Sequence, residues 1–226
     1  MTIPSRTDIE RLTKKYLRRA GGTRPDLRVV DMPDGKIVVK DYKHSDKLFR
    51  LLIGPILIHR EAGALKILKG VSGVPQFIGK IDRYAFAMQY VPGTSLADDL
   101  DHPPAQEFYD ELRRVVDDIH SRGVAHCDLF STGNIMYGDD DQPYVVDFAA
   151  SVFRGKGINP FTRKLHSSFV SADRIAVLKA KKRLSPHLLT DKELEKVETP
   201  LPFEKPARAF GSFIRKVTRA LLTKKR

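Results

Sequence analysis

Apolar residues recur along this chain in two rhythms, and the change from one to the other divides it. In the first ninety residues the spacing is mostly two. LRVVDM and KIVVKDY flank Pro33-Asp34-Gly35, a turn signal that makes them a predicted β-hairpin. FIGKI and YAFAMQYV alternate likewise and predict a second strand pair. Between the pairs lie a short predicted helix over 44–54 and a longer one, PILIHREAGALKILKG, with Pro55 at its first turn and Gly70 at its end. A Lys- and Arg-rich stretch over 6–20 predicts an N-terminal helix stopped by Gly21-Gly22.

After VPGT (91–94 carries Val91, Pro92, Gly93 and Thr94) the spacing becomes helical. Phe108, Leu112, Val115, Val116 and Ile119 share one face of a predicted helix over 104–122. NIMYG and PYVVDFA then predict a hairpin around the acidic turn 138–142, and further helices are predicted over 170–183, 191–197 and 206–223. The pattern is that of an α+β chain: a β-rich first part, a short hinge near Val91, then a helical part. No repeat or low-complexity linker interrupts it.

Charge sharpens this division. Residues 1–151 carry 21 basic and 22 acidic side chains and residues 152–226 carry 19 and 6, so the net +12 lies in the last third. Such asymmetry suits an anionic partner. Within that third, Phe210, Phe213, Ile214, Val217 and Leu221 form an apolar stripe beside Arg215, Lys216 and Arg219, a pattern that fits an anionic membrane surface; nucleic acid ranks below it. One cysteine, Cys127, excludes an internal disulfide. The most apolar run, LFRLLIGPILI, is too short to span a bilayer and is broken by Arg50 and Gly54-Pro55. A cytoplasmic location, peripheral on the inner face of the membrane, is the expectation.

The candidate chemistry sits in HCDLFSTGN and VVDFA. Asp128 in a loop, Asn134 six residues on, and Asp147 at the end of the next hairpin suit phosphoryl transfer, in which catalysis is positioning plus charge neutralisation. Asp128 can orient an attacking hydroxyl and take its proton. Asn134 and Asp147 offer hard oxygen ligands to Mg²⁺. Upstream, Lys40 ends the strand IVVK and Glu61 lies in the helix after it; a buried Lys compensated by a helix Glu can hold nucleotide phosphates. His126 reads as a structural loop residue.

In their order, IVVK, REAGALKIL, MQYV, HCDLFSTGN and VVDFA resemble the motifs of the protein-kinase-like superfamily over about residues 25–200. The resemblance implies a bilobal fold with a small β-rich N-lobe and a compact helical C-lobe, and ATP and Mg²⁺ as cofactors. It places adenine against backbone groups of Gln89 and Val91, after a gatekeeper at Met88 and between Val38 and Met136. The chain departs from the pattern in three ways: no glycine-rich loop precedes Lys40, one extra residue separates Asp128 from Asn134, and Cys127 and Ala149 replace an arginine and a glycine.

The small size, the REAGALKIL helix followed by GVPQFIG, and the short segment after DFA are most similar to the bacterial lipopolysaccharide (Kdo and heptose) kinases, with RIO-type kinases second. The first similarity implies a kinase acting on a sugar hydroxyl of a lipid-linked glycan; the alternatives are a RIO-like protein kinase and a nucleotide-binding pseudokinase scaffold. The expected organisation is a basic N-terminal helix (1–24), an N-lobe (25–91), a C-lobe (92–205) and a basic amphipathic C-terminal helix (206–226).

Overall fold

A computed structural model describes residues 1–154 and 160–199, with side chains from Lys164 in the second segment. The predicted C-terminal helix and its apolar stripe lie outside the described residues. The chain forms two compact units, the first built from Met1–Lys69 and Pro75–Tyr90, the second from Gly70–Val74 and the described residues from Val91 onward.

Unit 1 is a five-stranded antiparallel sheet with helices packed on it. Helix α1 (Arg6–Leu12) starts at a capping box in which Ser5 and Asp8 bond reciprocally. It is followed by β1 (Thr13–Arg18), β2 (Asp26–Met32), β3 (Gly35–Asp41), α2 (Lys47–Leu52), α3 (Gly54–Ile67), β4 (Phe77–Lys80) and β5 (Ala85–Gln89). The sheet order is β1-β2-β3-β5-β4. Ile9 of α1 packs on one face, against Val30, Ile37, Val39, Ala85 and Ala87.

The helix predicted over 6–20 is corrected here: only its first half is helical. Thr13 turns the chain out of α1, its hydroxyl bonding back to Ile9 O, and 13–18 pair with the edge of β2, Tyr16 opposite Arg28. Local helix propensity yields to the hydrogen-bond ladder that β2 offers, and the Lys and Arg side chains suit an edge strand. Gly21-Gly22 is therefore the tip of the β1–β2 hairpin. Gly22 has φ +57°, and Gly21 and Arg24 exchange backbone hydrogen bonds across the turn.

Unit 2 contains β6 (Gly93–Ser95), α4 (Gln106–Ser121), β7 (Val124–Ala125), β8 (Ile135–Gly138), β9 (Pro143–Val145), β10 (Val152–Phe153), α5 (Pro160–Leu184) and α6 (Asp191–Glu198). The VPGT segment, read as a hinge between the two parts, supplies the first two residues of β6, which pairs with β8. Gly93 allows this approach: a Cβ there would lie 2.2 Å from Tyr137 O. Phe108, Leu112, Val115, Val116 and Ile119 of α4 are all buried. Much of the basic excess of the described last third is engaged within the unit: Arg174 with Asp117, Lys181 with Glu193, Lys182 with Glu198, and Arg183 with Leu96 O.

Candidate active site

In unit 1 the period of two sorts β3. Ile37 and Val39 face the α1 core, so Val38 and Lys40 face the other way, opposite Met88 and Phe86 of β5. Val38 and Met88 are buried there. Helix α3 presents Ile58, Glu61, Ala62 and Leu65 as its buried stripe, so Glu61 occupies a position that the helical period otherwise gives to apolar residues. Lys40 Nζ donates to Glu61 Oε2 at 2.6 Å, with the two side chains 2% and 1% exposed. Two charges so far from water persist because they compensate each other.

Further along, Gln89 N–H donates to Gln76 O at 2.9 Å, so any bond from this residue's backbone to a base would come through its carbonyl. Val91 and Met136 belong to unit 2, Val91 buried and Met136 half-buried on β8.

In unit 2 the loop after β7 carries His126, Cys127 and Asp128. His126 is fully buried. Its Nε2 lies 3.0 Å from Val146 O, which can only accept, so Nε2 carries the proton and Nδ1 accepts from Asp128 N–H at 3.3 Å. The ring also meets Phe148 edge-on, centroids 4.8 Å apart. With both nitrogens bound to backbone, His126 shapes the loop.

Between Asp128 and Asn134 the chain closes with a single 3₁₀ turn, Thr132–Asn134. Asn134 Nδ2 then reaches back to Asp128 O at 2.9 Å and to Asp128 Oδ2 at 3.0 Å. Both partners are acceptors, so the amide group must face them with its NH₂, which orients Asp128 and directs Oδ1 elsewhere. Val146 N–H donates to Asn134 O at 2.9 Å, which sets Asp147 and Asn134 at the base of the same β8–β9 hairpin. Asp147 adopts left-handed φ 65° and caps the 3₁₀ turn Phe148–Ala150.

The residue that sequence reasoning passed over is Asp173. Its Oδ2 accepts from His126 N–H at 2.7 Å and its Oδ1 from Cys127 N–H at 2.9 Å. His120 Nε2 bonds Oδ2 as well, at 3.0 Å. One buried carboxylate on α5 thus holds the backbone of the Asp128 loop through the bend where Cys127 takes φ +69°. A signal was present: Asp173 interrupts the apolar stripe of Ala172, Ala176, Val177 and Ala180, as Glu61 interrupts that of α3. Two turns earlier on α5, His166 is buried; desolvation, reinforced by His120 and Arg154, holds its pKa below the ordinary value, against the pull of a Gly123 backbone bond and Asp173.

Among the described residues no three His, Cys, Asp or Glu side chains form a metal cage. The donors that are present fit Mg²⁺ nonetheless: this ion keeps several waters and takes one or two protein oxygens beside phosphates. Asp147 and the Oδ1 of Asn134 would be the oxygens to hold it.

Together, the five-stranded sheet whose Lys40 meets Glu61 of a packed helix and the helical unit with its HxD loop define a protein-kinase-like fold. Among solved structures the chain is similar to Rio2 kinase from Chaetomium thermophilum as its ADP/Mg²⁺-phosphoaspartate complex, with a TM-score of 0.58 and 18% identity over 88% of this chain and 60% of that one. It is similar also to the Rio2 kinase structure from the same organism, with a TM-score of 0.58 and 19% identity over 90% and 65%. The chain thus spans less than two thirds of the length of either. No protein-family model matches the sequence, and no curated protein matches it.

Proposed function

We propose that the protein is an ATP- and Mg²⁺-dependent phosphotransferase whose acceptor is a sugar hydroxyl of a lipid-linked glycan such as lipopolysaccharide core, working in the cytoplasm at the inner face of the membrane. The observation that carries the phosphotransfer reading is the Asp128 carboxylate oriented by Asn134, with Asp147 at the base of the same hairpin. In this reading Lys40, compensated by Glu61, binds the α- and β-phosphates, and the kinase resemblance assigns Val38, Met88, Gln89, Val91 and Met136 to adenine binding. Asn134 and Asp147 would hold Mg²⁺, which would supply neutralisation of phosphate charge.

The acceptor oxygen forms a bond to the γ-phosphorus as the bond to the ADP oxygen breaks, and the hydroxyl proton passes to Asp128. The β1–β2 turn at Gly21-Gly22 stands in chain order before the Lys40 strand, where a glycine-rich loop would come.

The resemblance of REAGALKIL, GVPQFIG and the short segment after DFA to lipopolysaccharide kinases supports the glycan acceptor. A RIO-like protein kinase is the second reading, favoured by the likeness to the Rio2 fold. Mg·ATP should stabilise the protein by about 2.7 kcal/mol at a hundredfold excess over Kd in a thermal-shift titration, and ATP without Mg²⁺ should not.

Asp128→Asn should bind Mg·ATP like the parent and transfer phosphate at least ~100-fold more slowly, while Asp147→Asn should weaken metal and nucleotide binding together. Equal turnover in parent and Asp128→Asn would sink the catalytic assignment and leave a scaffold. Labelled phosphate appearing on protein rather than on glycan fractions would select the RIO-like reading.

A further inference from the structure

We propose that the joint between α2 and α3 is a lipid-contacting elbow that seats unit 1 on an anionic bilayer surface. Leu48, Leu51, Leu52 and Ile56 are 58%, 41%, 63% and 56% exposed. They belong to two short helices that meet at Ile53-Gly54. Leu48, Leu51 and Leu52 share a face at i, i+3 and i+4, the spacing at which a water-facing helix would carry polar residues.

The elbow is firmly mounted from beneath. Phe49 is buried against Tyr42, ring centroids 5.7 Å apart. Gly54 is buried beside the same Tyr42, where a Cβ would come within 3.3 Å of its Cβ, and Ile58 is fully buried. The outward leucines are therefore presented by a packed base, and four large apolar side chains within nine residues make a patch that marks an interaction site.

Charge identifies the occupant. Between Lys43 and Arg60 the chain carries Lys43, Lys47, Arg50 and Arg60, with His44 and His59, against Asp46 as the single acid. A second copy of the patch would bring like charges together, and residues 205–226 of this chain, with eight Lys and Arg and no acid, are cationic as well. An anionic bilayer meets both requirements: leucines enter the headgroup–acyl boundary and the cations meet phosphates. The elbow lies on the surface, since no helix among the described residues is long and apolar enough to cross a membrane.

This inference stands on the surface alone and does not depend on phosphotransfer, so vesicle binding without nucleotide tests it separately. The chain contains no Trp, which makes Leu52→Trp in the full chain a site-specific fluorescent reporter. Its emission should shift to the blue, and be quenched by brominated acyl chains, on vesicles of phosphatidylcholine with phosphatidylglycerol but not on phosphatidylcholine alone.

Leu48→Glu/Leu52→Glu/Ile56→Glu should weaken sedimentation with the anionic vesicles by at least about tenfold, with an unchanged melting temperature. Phe213→Glu/Ile214→Glu should leave the reporter's blue shift in place. An emission that stays that of water, parent-like vesicle binding by the triple variant, or a parent dimer that the triple variant dissociates would each overturn the proposal; the last would make the patch a protein interface.

Discussion

Lys40 of unit 1 is held directly by an opposite charge, whereas Asp128 of unit 2 is held at one remove, on a loop whose backbone is gripped by a charge. The Lys40–Glu61 contact joins a strand to the helix after it, and both residues sit on regular elements whose periodicity aims them. Asp128 lies on a bend with a left-handed residue at Cys127, and its position depends on Asp173, which comes from a helix much later in the chain. A side chain on a strand needs a partner only for its charge; a loop also needs acceptors for its backbone N–H groups.

The first way to break this comparison removes the grip on the loop. Asp173→Ala leaves the N–H groups of His126 and Cys127 and the His120 ring without their shared acceptor. With hydrogen bonds to a charged group worth about 1.5–3 kcal/mol each, the loss of three should destabilise unit 2 by at least about 4.5 kcal/mol in urea unfolding and abolish the proposed phosphotransfer. Asp173→Asn, which keeps one accepting oxygen, should recover part of the stability. A midpoint for Asp173→Ala equal to the parent's would show that the loop holds its shape without this carboxylate.

Lys40→Met should cost somewhat less, about 3 kcal/mol, because it removes the cation that meets the buried Glu61 carboxylate at 2.6 Å. Unlike the loop, this pair can be exchanged whole: Lys40→Met/Glu61→Leu should return most of the stability while the proposed nucleotide binding stays lost. If the double variant is no more stable than Lys40→Met, the pair is holding strand to helix through more than charge compensation.

The smallest effects separate the units by pH. Burial of Asp26 in unit 1 opposes its ionisation, but His44, the Ala20 N–H and Arg28 more than offset this, and its carboxyl is held below the ordinary 3.8. That stability is present above the unfolded value and is lost as pH falls through the lowered folded one. His166 in unit 2 is held below 6.5, so the unfolded chain takes up the proton first and stability begins to decline as pH drops below that ordinary value. His166→Asn should flatten the slope just below pH 6.5, and Asp26→Asn only the slope in strong acid. Superimposable stability profiles for parent and His166→Asn between pH 7 and 5 would remove the second half of this contrast.

Elements set by short-range signals were legible. The hairpin around Pro33-Asp34-Gly35, the helix opened by Pro55, the apolar face of α4 and the hairpin over 135–145 all stand where alternation, turn chemistry and helical period place them. Strand β1 was not legible, because a Lys-rich stretch has no strand period strong enough to announce itself and takes its form from the edge of β2. The placement of Gly21-Gly22 at a hairpin tip followed from the same missed pairing. Strand β6 was hidden for a related reason: two of its three residues look like turn, and only the approach of β8 makes them a strand.

What the sequence determined by itself was therefore the local grammar: which runs turn, alternate or coil, and which residue types stand at the ends of those runs, since these depend on neighbours a few positions away. The tertiary structure alone decided which charges meet. Glu61 and Asp173 are both acids in otherwise apolar helix stripes; the order of motifs suggested the lysine 21 positions back that Glu61 meets, but nothing near Asp173 says that it grips a backbone bend 46 and 47 positions back. A buried charge is tolerated only where the fold delivers its partner, so its meaning is set by packing between distant elements.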